Sequence, residues 1–466
     1  MAKKVVIVGG GISGLSAAHR IAELQKRDNL DVEVLLLEKT SKLGGPINTV
    51  KKDGFLIELG PDMFFAKRPW ALNLSKRLGL ENELIETNEG KRGTYVLWKK
   101  RLVAVPEGFL MLAPSKIMPF LKSPLFSWTG KIRMMTDLFI SKGLSRDESL
   151  ASFVRRRFGN EALVRMAQPM IGGIYTADPE KLSLKATMPQ FIEMEQEYGS
   201  VIKGMLNNTK DSKSDSGARY SHFLSFKNGM QTLVDALEQT LPEGSLFLNE
   251  AVTKIAQEDD FWQVHTTNST IDAEGVIVTT PSYHTAALVE NIDKELSSRL
   301  SSIEHASSAV VIFAYKTDLI TKKLNGFGFV VPDVEKSDLI ACSFSSIKFD
   351  GRAPEGYTIF RTFLGGALNP GIYDLDDGQI IDKAKHELTA ILGIKGDPKI
   401  TLIQRYPEAM PQYHVGHIEL VERIKKDLSK QKGLKIAGNA YSGVGIPECV
   451  HSGEIAAESV IKDLFN

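Results

Sequence analysis

The sequence predicts an α/β chain, α+β over its full length, with a mostly parallel N-terminal sheet, a mainly helical insertion and a separate mixed sheet. Three observations predict it. A β-branched run, Val5–Val8, enters a glycine-rich turn, and a helical pattern follows at once. Helical spacing then dominates the stretch from Lys131 to about Arg165. After Phe247 the pattern changes to short strand-like runs. At 466 residues the chain exceeds what one core can hold, so two or three domains are expected, discontinuous in sequence.

Taken in order, Val5–Val8 is a buried strand, Ser13 to about Lys26 a helix, and Val32–Leu37 a second strand. Strand, helix and strand make a βαβ unit, so the N-terminal domain is read as Rossmann-like. Trp70–Leu78 has helical spacing, and the polar tract Asn207–Arg219 (NNTKDSKSDSGAR) reads as a mobile surface loop. Ala273–Thr280 (AEGVIVTT) is an apolar strand closed by Pro281. Ala309–Lys316, Gly328–Val331, Leu339–Ser345 and Thr358–Leu364 form the second sheet, antiparallel or mixed. Leu434–Ala437 is a last strand, followed by a glycine-rich turn, Gly438–Pro447, and a helix, Cys449–Leu464. The expected division is a discontinuous dinucleotide domain (1–70, 220–300, 405–466), a helical insertion (71–219) and a substrate-binding sheet domain (301–404).

Composition narrows the function by exclusion. With 57 basic and 57 acidic residues the chain lacks the basic excess that nucleic acid demands. No run of about 20 apolar residues is present, so no transmembrane segment is expected. The most apolar stretch, Phe109–Trp128, is broken by Pro114, Pro119 and Pro124; a helical cover over a substrate cavity is favoured there over peripheral membrane contact. Lys3 and Lys4 precede an apolar run that Gly9 cuts short, so no cleavable signal is read and a soluble, cytoplasmic protein is expected. Cys342 and Cys449, the two cysteines, lie far apart outside any C-x-x-C pattern; they are read as small buried hydrophobes, with no metal site.

The chemistry begins at Gly9, Gly11 and Gly14, a G-x-G-x-x-G between a strand and a helix. Gly9 permits the tight turn, Gly11 admits a pyrophosphate, and Gly14 lets helix and strand pack, while the amides of Gly10, Ile12 and Ser13 face the anion. Glu38 ends the second strand, where a carboxylate accepts the ribose hydroxyls of an adenosine and repels a 2′-phosphate. Beyond Lys39 comes a doublet, Gly44-Gly45, which resembles the extended fingerprint of amine-oxidase and glutathione-reductase-like flavoproteins and points to FAD instead of NAD. Those proteins follow the doublet with Arg or Lys, whereas this chain has Pro46; Lys42 is the candidate substitute. The turn Gly438–Pro447 aims a second helix N-terminus, and in that superfamily its target is the N1/C2 carbonyl edge of the isoalloxazine.

GGGISGLSAA, LGGPINTV, LIELGPDMF, GGIYTADPEKLSL, FKNGMQTLVDALE, AMPQYHVGH and GNAYSGVGIPECV, in that order, resemble the porphyrinogen oxidases, particularly the soluble bacterial coproporphyrinogen III oxidases. The resemblance spans nearly the whole chain, and GIYxxD (Gly173–Asp178) and MPQYxxGH (Met410–His417) are its most specific motifs. It implies FAD contacts from Gly60, Pro61, Asp62, Met63, Val252 (backbone, near the adenine), Tyr406 (where a tryptophan is usual), Val444, Gly445 and Ile446. It further implies a substrate cavity lined near Arg68, Gly173, Ile174 and Phe363. The implied reaction removes six hydrogens from a porphyrinogen in three two-electron steps, with oxygen as acceptor and hydrogen peroxide released, on the route to haem.

No catalytic base is read from the sequence: a meso carbon gives hydride to the flavin while a pyrrole N–H loses the proton. His414 and His417 are read as structural and no metal ligand is assigned. The four propionates of coproporphyrinogen favour a cationic rim, for which Lys67-Arg68, Lys99-Lys100-Arg101 and Arg155–Arg157 are candidates, although each run equally suits a solvated face. Protoporphyrinogen IX oxidation, an amine oxidase or desaturase, and a flavin-free carrier resembling the prenylated-GTPase dissociation inhibitors are the competing readings. Docking with other haem-pathway enzymes is a further expectation.

Overall fold

The computed structural model describes residues 2–88, 90, 93–143, 146–211 and 223–465, with backbone alone at 208–211. Its first sheet has five parallel strands in the order Leu246–Leu248, Val32–Glu38, Lys3–Val8, Gly275–Val278, Leu434–Ile436. Alternation along these strands feeds two cores. Val5, Ile7, Val34 and Leu36 face the helices Ile12–Asp28 and Ile446–Phe465, while Val6, Val8, Leu35 and Leu37 pack with Trp262, Leu296 and Ile424 on the other side. A parallel sheet is stable only when covered on both faces, and this one is. The two long helices touch directly: a Cβ at Gly453 would collide with the Ser13 carbonyl, so glycine sets their separation.

The second sheet has seven strands, ordered Ile400–Pro411, His305–Lys316, Tyr357–Gly365, Leu339–Phe344, Gly328–Val330, Tyr95–Trp98, Arg101–Ala104. All neighbours are antiparallel except Gly328–Val330 with Tyr95–Trp98, which makes the sheet mixed. One face packs under the helix Asp377–Leu392 through Val311, Phe313, Phe360 and Leu388. The other meets the hairpin Thr49–Lys52/Phe55–Glu58 through Val310, Ile312 and Ile359.

Several elements depart from the sequence reading. Tyr95–Trp98 and Arg101–Ala104 fall in the stretch expected to be mainly helical, because they close an edge of the second sheet. Ile400–Pro411 runs across the expected boundary at 405. The helical stretch 131–165 is not continuous: helices Trp128–Met135 and Leu150–Phe158 are separated, and Gly159, at φ 89°, ends the second. A π-helical turn, Leu163–Ala167, then leads into the helix Gln168–Tyr175, whose Pro169 has no N–H to continue the regular ladder. Of the polar tract 207–219, residues up to Asp211 extend a helix anchored by buried Val201, Ile202 and Met205, and the rest lies outside the described residues. Within the apolar stretch Phe109, Phe120 and Phe126 are buried in the helical core, while Met118 and Trp128 are 62% and 69% exposed. Among the described residues no helix is long and apolar enough to cross a membrane.

Candidate functional site

At the C-terminal edge of the parallel sheet, Gly9 takes φ 108° and its N–H donates to Leu37 O at 2.8 Å. A Cβ at Gly14 would overlap the Gly9 carbonyl, so helix and turn pack only through glycine. A Cβ at Gly11, by contrast, would meet nothing within 4 Å; that side of the turn is open. Glu38 lies beside the turn, accepting from the Gly10 N–H at 2.7 Å and from the Thr40 N–H and hydroxyl at 2.8 Å. The doublet joins the same place: Gly44 N–H donates to Gly10 O at 2.9 Å, and a Cβ on Gly45 would lie 3.5 Å from Gly11 Cα. Val252 is brought near because Glu250 N–H donates to Glu38 O at 2.9 Å. Lys39 and Lys42 are exposed beside it.

A second cluster of predicted residues meets at Gly60. A Cβ there would overlap the Pro46 carbonyl and lie 3.4 Å from the Tyr406 hydroxyl, which joins residues far apart in sequence. Tyr406 is pushed up to about 12 by burial, so its phenol stays neutral. Asp62 is buried and ion-paired to Lys348 at 2.7 Å and Arg361 at 3.2 Å. Burial alone would raise its pKa; the charges of Lys348 and then Arg361 override that and leave it at about 2. Its carboxylate is therefore committed within the protein, while Pro61 and Met63 on either side of it are half-buried. Phe363 and Tyr406 both pack against the cluster that includes Leu59, and Phe363 and Val444 both pack against the core that includes Ile171.

The C-terminal turn shares the sheet edge with the first. Thr279 lies between them: its hydroxyl donates to Val8 O and Gly9 O at 3.0 Å, and a Cβ on Gly438 would be 3.9 Å from its carbonyl. Tyr413, which the sequence reading did not single out, pins this turn. Its hydroxyl accepts from Gly443 N–H at 2.8 Å and donates to Asn439 O at 2.5 Å, and its ring stacks on His417 at 4.0 Å. The two specific motifs are parts of one joint, since Gln412 Nε2 donates to Tyr175 O at 3.3 Å, and just beyond the first motif Ser183 N–H donates to Tyr413 O and Val415 N–H to Lys181 O. The signal was present in the sequence as a tyrosine inside the most specific motif. Val444, Gly445 and Ile446 follow the pinned residue into the last helix.

A family model, flavin containing amine oxidoreductase, matches residues 12–461, from the helix that leaves the first turn through the whole of the second. The chain belongs to that family. Its cofactor is FAD and it is an oxidoreductase. Two coproporphyrinogen III oxidases, of Bacillus subtilis and Staphylococcus aureus, are 35% and 32% identical, each alignment covering 100% of this chain and 99% and 100% of theirs. A chloroplastic protoporphyrinogen oxidase 1 of spinach is 30% identical over 98% of this chain and 84% of its own. Among solved structures, a protoporphyrinogen oxidase candidate from Exiguobacterium sp. 255-15 superposes with a TM-score of 0.88 at 29% identity, covering 100% of both chains. Cyclohexylamine oxidase of Brevibacterium oxydans shares the flavin amine oxidoreductase fold, with a TM-score of 0.71 at 14% identity over 100% of both.

The remaining candidates divide. Gly173 lies against Ala341, whose cross-strand partner is Phe363, so these two predicted cavity residues come close; Ile174 is 36% exposed next to them. Arg68 is exposed and pairs with Glu448 at 3.5 Å, beside the C-terminal turn. Arg155–Arg157 is no cationic rim. Arg155 pairs with Glu180, Arg156 with Glu148 and Glu195, and Arg157 is fully buried against Asp137 and Glu195, so that four acids neutralise the run. Lys99 and Lys100 turn back on Glu335 through their backbone N–H groups. His417 is buried behind the Tyr413 ring, and burial pulls its pKa down to about 4, so it is a neutral packing group. Cys342 and Cys449 are buried free thiols.

Proposed function

We propose that this enzyme oxidises coproporphyrinogen III to coproporphyrin III on the route to haem, with oxygen as terminal acceptor and hydrogen peroxide released. What carries the reading is the meeting of Pro46, Gly60 and Tyr406 at one point, with Phe363 packed on the same apolar cluster as Tyr406 and Gly173 against Ala341, the cross-strand partner of Phe363. FAD would lie with its diphosphate over Gly9–Gly14, its ribose at Glu38 and Lys39, its adenine at Val252, and its ring system between Gly44–Pro46, Gly60–Met63, Tyr406 and Val444–Ile446. Bound there, FAD supplies a two-electron acceptor that oxygen regenerates.

The residues of the chain do the rest by shape and exclusion. Phe363, Gly173 and Ile174 offer a mainly apolar surface to a flat macrocycle, and the acid–base groups closest to it are already paired or held neutral. The pyrrole N–H can therefore lose its own proton without a protein base, and orientation carries the rate. Arg68 is exposed enough to leave Glu448 for a substrate propionate. Support for the substrate class comes from the relatives' names and the seven ordered motifs. The test is a comparison of kcat/KM for coproporphyrinogen III and protoporphyrinogen IX in air, with peroxide measured alongside. The four-carboxylate substrate is expected to be preferred with three peroxides per porphyrin; a preference for protoporphyrinogen IX, or no peroxide, would overturn the proposal.

A further inference from the structure

Around Asp62 the protein buries more charge than a core normally tolerates. Asp62 comes from the Gly60 turn, Lys348 from a short helix, Ser345–Lys348, and Arg361 from the strand Tyr357–Gly365. Lys348 Nζ is 2.7 Å from Asp62 Oδ2 and 3.8 Å from Met63 Sδ. Arg361 reaches Asp62 at 3.2 Å, donates to the Gly60 carbonyl, and lies 5.3 Å from the Phe363 ring. Glu58 and Arg352 complete the set. Glu58 accepts from Met230 N–H at 2.8 Å and Thr49 Oγ1 at 2.7 Å, and Arg352 donates to Ser225 Oγ at 2.8 Å and Phe226 O at 3.0 Å. All five are buried.

Three cations face two carboxylates, so a cation is left over. Buried charge is stable only when paired, and an uncompensated one makes its neighbourhood favour negative charge. Arg361 Nε is also buried with no hydrogen-bond partner among the described residues, which leaves a donor unspent beside Gly60.

We propose that Lys348 and Arg361, clamped by Asp62, are positioning residues that hold an uncompensated positive charge against the isoalloxazine slot and raise its electron affinity. The inference rests on the placement of FAD given above and adds a tuning role for residues outside the contact set. Arg361 fixes the Gly60 backbone that the flavin ring meets, and Lys348 holds Asp62 away from it. The two roles predict effects of opposite sign. Removing a cation lowers the midpoint potential of the bound flavin, and removing an anion raises it.

The experiment is a redox titration of the purified holoenzyme and its Lys348→Met, Lys348→Arg, Asp62→Asn and Glu58→Gln variants, with sulfite affinity as a second readout. Lys348→Met should lower the potential and weaken sulfite binding about tenfold, as loss of one nearby charge in a low-dielectric site implies. Lys348→Arg should restore both, and Asp62→Asn and Glu58→Gln should shift both the other way. Loosened packing would instead move all variants in one direction. Potentials that are unchanged, or shifts of one sign, with FAD bound overturn this inference alone. Failure of the wild-type protein to hold FAD overturns the placement as well. Glu58→Gln keeps an acceptor for Met230 N–H and tests the charge if the Lys348 variants do not fold.

Discussion

The two glycine turns on the edge of the parallel sheet are built in opposite ways. The N-terminal turn is fixed first by sterics, with Gly9 at a left-handed φ and Gly14 packed on Gly9 O, and its hydrogen bonds run to Leu37, Glu38, Gly44 and the Thr279 hydroxyl on the adjoining strands and their ends. The C-terminal turn is held from outside, by the Tyr413 hydroxyl on Gly443 and Asn439, by Ser452 Oγ on Gly438 N–H at 3.1 Å, and by a Glu448 that answers to Arg68. Steric constraint within one segment tolerates little substitution and does not titrate. A turn clamped by distant side chains depends on their protonation and packing, so conditions and remote mutations reach it.

The largest predicted effect is on the N-terminal turn. Gly14→Ala should weaken FAD binding about 10- to 100-fold, the usual cost of overpacking, and lower thermal stability with it. Gly11→Ala should separate the two readouts, because its Cβ meets no protein atom: FAD affinity falls comparably while the apoprotein melts as before. Equal melting losses in both variants would mean that Gly11 serves the fold and not a ligand.

The clamped turn should show a pH signature. His417 is held neutral in the folded protein with a pKa of about 4, chiefly by burial, against about 6.5 when unfolded. Between those values the unfolded chain binds the extra proton, so stability falls as pH drops from about 6.5 to about 4, by about 3 kcal/mol, and this contribution is flat outside that window. His417→Phe keeps a ring against Tyr413 and should lessen the slope in urea titrations across that range, with His19, His284, His305 and His414, whose pKa values desolvation also lowers, contributing the remainder in the same direction. A slope as steep as before would take His417 out of it. Tyr413→Phe leaves Gly443 N–H and Asn439 O unpartnered and should cost about 1–3 kcal/mol, with a shifted flavin absorption band. An unchanged band would free the turn from Tyr413.

The smallest effect belongs to Arg68, which is exposed and weakly paired. Arg68→Ala should raise the apparent KM for coproporphyrinogen III a few-fold, about 3- to 10-fold, and leave kcat near its normal value. Unchanged kinetics would remove it from the substrate rim and leave the pair with Glu448 as a surface contact.

The same contrast explains what the sequence made legible. Gly9, Gly11, Gly14 and Glu38 act within one βαβ unit, so spacing along the chain carries their geometry, and the first strand, helix and second strand were read within two residues of their ends. The strands of the second sheet were partly legible, since Ala309–Lys316 and Thr358–Leu364 have strong β-forming runs, but Tyr95–Trp98 and Ile400–Pro411 are strands only because an edge awaited them. Arg155–Arg157 looked like a cationic rim because the acids that neutralise it lie elsewhere in the chain. Lys348, Arg361 and Tyr413 carry no spacing relative to the glycines, and nothing in a linear reading brings residues 62, 348 and 361 together.

On the proposed reading one FAD spans from the first turn to the second and takes hydride from a porphyrinogen beside Phe363. Anaerobic mixing of the purified yellow holoenzyme with coproporphyrinogen III, followed at the flavin absorption maximum, is the decisive experiment. Bleaching of the band within the turnover time, and its return with peroxide when oxygen is admitted, is the predicted result. A flavin band that stays unchanged under saturating porphyrinogen would contradict the account.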